Sequence, residues 1–86
     1  MNNNLINQQI TIQNTRADII GELEAIIQYE NHLDVTENPQ AKQIIRHIVA
    51  EEKMHVGELF GSLFHLDPES KKQFELGYQE FVEGRK

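Results

Sequence analysis

"IIRHIVAEEKMHVGELFGSLF", residues 44–64, reads as one helix with foreign elements set into its apolar stripe. Ile45, Ile48, Glu52, His55 and Leu59 follow one another at intervals of three and four, the repeat that places side chains on one face of an α-helix. Leu63 extends the stripe. A carboxylate withdrawn from water without a partner costs several kcal/mol even after its surroundings relax. The pattern therefore predicts a compensating group. Glu52 and His55 are one turn apart, the Glu-x-x-His spacing that aims an oxygen and a nitrogen at one point inside a helix bundle.

The punctuation on either side fixes the neighbouring elements. Upstream, Asn38 stands at a helix N-cap and Pro39 at the first helical position, which proline tolerates. Downstream, "HLDPES" (65–70) repeats the signal, with Asp67 as cap and Pro68 opening a third helix whose apolar side carries Phe74, Tyr78, Phe81 and Val82. Before "TENP" (36–39), Ile19, Leu23, Ile26 and Leu33 recur at helical spacing. "TRAD" (15–18) resembles a capping box, so the first helix is expected to start at Thr15, with Asp18 at its third position. Residues 1–14, rich in Asn and Gln, are then a flexible or weakly helical arm, and 15–86 form the domain. No β-type alternation occurs, so the fold class is all-α: two helices of roughly 20 to 26 residues, about 30–40 Å each, in an antiparallel hairpin, plus a short third helix.

The first helix carries a matching feature. Glu22 lies between Ile19 and Ile26 at the edge of the inward face, and Tyr29 follows two turns later. Taken singly, each residue has an ordinary reading: a solvated glutamate, a core tyrosine with a wet hydroxyl, a surface Glu/His pair. Together, on adjacent long helices, they bring Glu22, Glu52, His55 and Tyr29 to one region, which points to a metal site. His32, His47 and His65 read as surface residues, as do Glu24, Glu30, Glu51 and Glu58, with Glu51 and Glu58 placed to guide cations inward. Gly57 and Gly61 read as a close-packing pair.

Ligand counting sets the stoichiometry. A carboxylate-bridged pair of irons in a helical bundle takes four carboxylates and two histidines from four helices. One copy of this chain offers Glu22, Glu52 and His55, half the set. Two copies would complete both the site and the four-helix bundle, and a chain this small leaves much apolar surface to bury by self-association.

Composition narrows the alternatives. The chain has 86 residues, 14 acidic against 8 basic, a formal net charge of −6 and no cysteine. Thiolate sites and disulfides are excluded, and the acidic excess argues against nucleic acid as a partner. No apolar run approaches the roughly 18 residues of a membrane span. The opening "MNNNLINQQITIQN" lacks the basic start and apolar stretch of a secretory signal, so a cytoplasmic protein is expected. Oxygen and imidazole donors without sulfur suit iron or manganese, with zinc as an adventitious occupant.

"GELEAIIQYENHLDVTENPQAKQIIRHIVAEEKMHVGEL" (21–59) resembles the encapsulated ferritins, and the similarity extends over about residues 16–83. The resemblance implies a hairpin with a short third helix that dimerises into a ferritin-like bundle, and five dimers closing into a decamer. It implies a ferroxidase that oxidises Fe(II) with dioxygen for iron storage, inside an encapsulin shell in the cytoplasm. Glu22, Glu52 and His55 would be iron ligands, Tyr29 the tyrosine beside them and Glu24 an outer metal position, with manganese, zinc or calcium as substitute ions. Gly21 stands where the family often has an acidic residue, and Gln28 where it commonly has tryptophan. The chain closes on "FVEGRK", without an extended shell-docking tail, so fusion to a shell protein, a shortened chain and the absence of a shell stay open. Two other functions stay open: a rubrerythrin-like peroxide-scavenging domain, which would need iron-bound cysteines from elsewhere, and a non-catalytic helical assembly protein.

Overall fold

The computed structural model describes residues 3–84. Three helices follow in order: α1 (Asn3–Val35), α2 (Pro39–Leu66) and α3 (Pro68–Glu83), with no strand among the described residues. α1 and α2 lie side by side as a hairpin, and α3 packs on α2 alone among the helices. The fold class is as expected from sequence.

α2 starts as its sequence dictates. Asn38 adopts an extended conformation (φ −65°, ψ 124°), its side-chain oxygen accepts the Ala41 N–H at 3.0 Å, and Pro39 occupies the first turn. α3 ends on Gly84 at φ 78°, in the left-handed region that glycine enters without a Cβ penalty.

The start of α1 departs from expectation. Thr15 does not cap a helix; it is buried in the middle of one that is 33 residues long, about 50 Å. Its hydroxyl donates to the Thr11 carbonyl at 2.8 Å, and Thr11 does the same to Asn7. Back-bonding to the residue four positions earlier satisfies the hydroxyl within the helix, so the threonine can face the core. Asp18 accordingly sits well inside α1.

Inward-facing residues of α1 are Ile12, Thr15, Ile19, Glu22, Ile26, Tyr29 and Leu33, strictly alternating steps of three and four. On α2 the buried positions are Ile45, Val49 and Leu63. The seam thus passes through Val49, with Ile48 and His55 only half-buried beside it. Ile12, Ile19 and Leu63 form one cluster, covered by Leu59, Phe60, Phe64 and Leu66. α3 is anchored by its first turns: the Phe74 ring lies 5.4 Å from Phe60 and 5.1 Å from Phe64.

The turn into α3 is tied back to α1. Arg16 donates to Asp67 Oδ2 at 2.9 Å and to the Ser70 hydroxyl at 3.0 Å, the Ser70 hydroxyl donates to the same carboxylate at 2.6 Å, and Gln8 donates to the Leu66 carbonyl at 3.2 Å. The backbone carbonyl of Asp67 accepts the Ser70 N–H at 3.0 Å, while its side chain is engaged by Arg16 and the Ser70 hydroxyl rather than as a helix cap. The Ser70 hydroxyl, and more weakly the Arg16 guanidinium, hold the Asp67 carboxyl below the usual carboxylate range. A lowered value favours the folded state above the ordinary aspartate range, and that contribution disappears as pH falls through the lowered value.

The molecule is thin. Its extents are 55 × 41 × 14 Å and its radius of gyration is 17.1 Å, against about 12 Å for a compact chain of this length. Its accessible surface of 6904 Å² exceeds the roughly 5,200 Å² of a compact 10 kDa monomer by about 1,700 Å². No described helix is long and apolar enough to cross a membrane.

Because Ile12 is packed rather than frayed, Ile12→Ala should cost roughly 2–4 kcal/mol in urea unfolding. A change near zero would mean that the first turns of α1 contribute nothing to the core.

Candidate metal centre

Halfway along the hairpin the apolar seam gives way to carboxylates. Glu22 comes from α1, and Glu52 and His55 come from α2, so the antiparallel pairing of the helices sets them opposite each other. One donor atom from each lies within 4.8 Å of the other two. His55 Nδ1 is 3.7 Å from Glu22 Oε1 and 3.9 Å from Glu52 Oε1. These separations are too long for hydrogen bonds, and they leave space for an ion between the groups.

Burial grades across the site. The Glu52 side chain keeps 19% of its surface, Glu22 26% and His55 41%. Glu22 Oε2 is out of contact with solvent and has no hydrogen-bond partner in the chain. An unmatched carboxylate oxygen is costly in a protein interior. The donor set of two carboxylates and one imidazole, with no thiolate, fits a hard or borderline divalent cation. His55 is the most open member of the three.

Two open grooves meet at Glu22. One, about 430 Å³, is lined by Ala17, Asp18, Gly21, Ala25, Glu52 and Leu59 besides Glu22. The other, about 230 Å³, is lined by Glu22, His55, Glu58 and Leu59. Neither has a lysine or arginine in its wall, so nothing there repels a cation.

Among the sequence-predicted residues, the structure brings Glu22, Glu52 and His55 together. Tyr29 is half-buried on the same face of α1, two turns beyond Glu22, and Glu24 is exposed; neither joins the three-residue cluster. Glu58 shares a groove with His55. Glu51 and His47 face away as an exposed pair at 2.8 Å, and Glu30 faces Lys53 at 3.5 Å. A Cβ on Gly57 or Gly61 would meet nothing within 4 Å beyond the adjacent residues and backbone of its own helix, so these glycines do not serve close packing within the hairpin. Sequence reading missed Asp18 as a groove residue. Its position four before Glu22, one turn up the same face, was the available signal, obscured by the capping reading of Thr15.

A thin helical hairpin carrying a carboxylate–histidine cluster on its inner face is a ferritin-like arrangement. A family model described as EncFtn-like matches residues 1–76, and the chain belongs to that family, the encapsulated ferritins. It is 38% identical over 68 residues to the ferritin-like–encapsulin shell fusion protein of Pyrococcus furiosus, covering 79% of this chain and 20% of that protein. It is 41% identical over 54 residues to the encapsulin nanocompartment cargo protein EncC of Myxococcus xanthus, covering 63% of this chain and 42% of that one. The chain thus spans between a fifth and about two-fifths of the length of these curated relatives. The crystal structure of the encapsulated ferritin domain from Pyrococcus furiosus superposes with a TM-score of 0.85 at 33% identity, covering 91% of this chain and 80% of that domain.

If the unmatched Glu22 oxygen is kept for a cation, Glu22→Gln should raise the melting temperature of metal-free protein. It should also abolish the rise that Mn(II) gives the wild type, since binding to the folded state alone is stabilising. Thermal unfolding with and without Mn(II) checks both, and an equal Mn(II) response in the two proteins would count against a site.

Proposed function

We propose that two copies of this chain join over Glu22, Glu52 and His55 to form a ferroxidase centre, with Fe(II) as substrate and dioxygen as electron acceptor. The observation that carries the reading is the convergence of two oxygen donors and one nitrogen donor around an unpartnered carboxylate oxygen. Family membership and the names of the relatives support the setting: one relative is fused to an encapsulin shell, the other is an encapsulin cargo.

Each Fe(II) gives up one electron to dioxygen and leaves as Fe(III), and a pair of ions per site matches the four carboxylates and two imidazoles that two copies supply. The chain's own groups bind and orient. Glu22 and Glu52 neutralise cation charge from opposite helices, so that each holds the other helix in place once an ion lies between them. His55, the most exposed donor, closes the site from the partner side. Tyr29 lines the same inner face, and Glu24 is assigned a role outside, meeting cations before they enter. Iron rather than manganese, zinc or calcium is the proposed metal: zinc and calcium have no accessible higher oxidation state, and Fe(II) yields an electron to dioxygen more readily than Mn(II). An iron-storage role inside an encapsulin compartment in the cytoplasm, in a dimer or pentamer of dimers, completes the proposal.

Aerobic Fe(II) oxidation, followed by the appearance of Fe(III), tests it. Glu52→Ala and His55→Ala should each slow the rate by at least about ten-fold, with about two irons bound per pair of wild-type chains and fewer in the variants. Rates equal to wild type would end the enzymatic reading.

A further inference from the structure

The larger groove beside Glu22 has room that the donor cluster lacks. One donor atom from each of Glu22, Glu52 and His55 lies within 4.8 Å of the other two. All three can touch one ion, but no water shell fits between them. A divalent cation arrives from solution with about six waters, which at about 30 Å³ each fill roughly 180 Å³. The groove encloses about 430 Å³, so it admits the ion with its shell intact. Its α1 wall is cut back to small side chains at Ala17, Gly21 and Ala25. A Cβ at Gly21 would meet nothing within 4 Å beyond its own neighbours and helix backbone, so no packing demand keeps glycine there. Glycine inside a helix is unfavourable against alanine, and what its missing side chain gives in return is width in the groove.

Among the described residues, Asp18 is the acid in that wall that stands outside the three-residue cluster. It is exposed and makes no hydrogen bond or ion pair with any described residue. It lies one turn from Glu22 on the same face of α1, about 6 Å away between Cβ atoms. Glu24 lines neither groove. The waters around a cation are hydrogen-bond donors, and an ionised carboxylate is an acceptor only, so Asp18 can hold the ion through its shell without displacing it. Glu22 and Glu52, farther in, can replace those waters with direct bonds. We propose that the larger groove is where an arriving divalent cation is held hydrated and begins to shed its waters. Asp18 is the positioning residue that holds it there before Glu22 and Glu52 bind it directly.

The proposal rests on the proposed cation site at Glu22, Glu52 and His55 but on no oxidation there. The probe is Mn(II) on the full chain: uptake after rapid mixing with an indicator of free Mn(II), affinity by the electron paramagnetic resonance signal of the free ion, and helical content by far-UV circular dichroism. Asp18→Asn should slow uptake by about three- to ten-fold, the effect of removing one charge about 6 Å from a divalent ion in screened water. Its Kd should rise by less than about two-fold, because the bound ion sits beyond Glu22. Asp18→Glu should restore most of the rate, and Asp34→Asn, the same change at an exposed site farther along α1, should match wild type. A wild-type rate in Asp18→Asn, with Mn(II) still bound at equilibrium, would overturn the role of Asp18 and leave the cation site standing. Equal slowing in Asp34→Asn would overturn it too, by reducing the effect to net charge. Slowing by Glu58→Gln but not by Asp18→Asn would place entry in the smaller groove. A Kd raised as far as the rate falls would make Asp18 a ligand of the bound ion instead. Failure of wild type to bind Mn(II) at all would overturn both the proposal and the cation site beneath it.

Discussion

Everything in this molecule turns on two carboxylates standing where a hairpin needs hydrocarbon. Glu22 and Glu52 occupy inward positions of α1 and α2, with one oxygen of Glu22 sealed from solvent and unpartnered. Substituting leucine-like residues there would close the seam at no electrostatic cost. The seam is otherwise well made: Ile12, Ile19, Ile45, Val49 and Leu63 are each at most 8% exposed. The interruption is local, placed at the level where His55 adds a nitrogen. A polar defect confined to one layer of an apolar seam makes sense as a place for an ion, and the open groove beside it gives the ion a way in.

The thinness of the chain follows from the same design. A hairpin 14 Å thick has one buried face per helix and leaves its metal layer open on one side. A second hairpin would bury that side and supply matching donors in one step. On the proposed pairing, one chain leaves the site incomplete, and that incompleteness accounts for why so much apolar surface is left outside. Size alone would push in this direction, since chains below about 100 residues bury a smaller share of their surface than larger domains do. On the proposed pairing, the carboxylate layer sets where the contact lies.

Much of this was legible in the sequence, for reasons that differ by element. Asn38–Pro39 and Asp67–Pro68 are strong local signals, because proline is confined to few positions and cap residues act through their nearest neighbours. The Glu52/His55 pair was legible because its spacing equals one helical turn, and Glu22 because it interrupts an apolar repeat. The start of α1 was misread because Thr15 and Asp18 satisfy a local capping pattern, whereas the tertiary contact that keeps Ile12 and Thr15 helical comes from Leu63 and its neighbours about fifty residues away. No local rule weighs that contact. The seam through Val49 rather than Ile48 was also obscured, because both valine and isoleucine fit a helical face and only the partner helix selects between them. The Arg16–Asp67–Ser70 clasp joins residues more than fifty apart, so proximity in sequence gave no sign of it.

The layout separates two demands that compete in small metalloproteins. Metal coordination needs donors fixed within fractions of an ångström, and in this chain they sit on the two longest, most rigid elements, away from any loop. An exposed apolar face needs to stay clear of such a site. α3 carries one at one end of the hairpin, and the aromatic cluster of Phe60, Phe64 and Phe74 joins it to the core without passing through the carboxylates. If the proposed pairing holds, cation binding and chain association at mid-hairpin are one linked equilibrium, since each supplies what the other lacks.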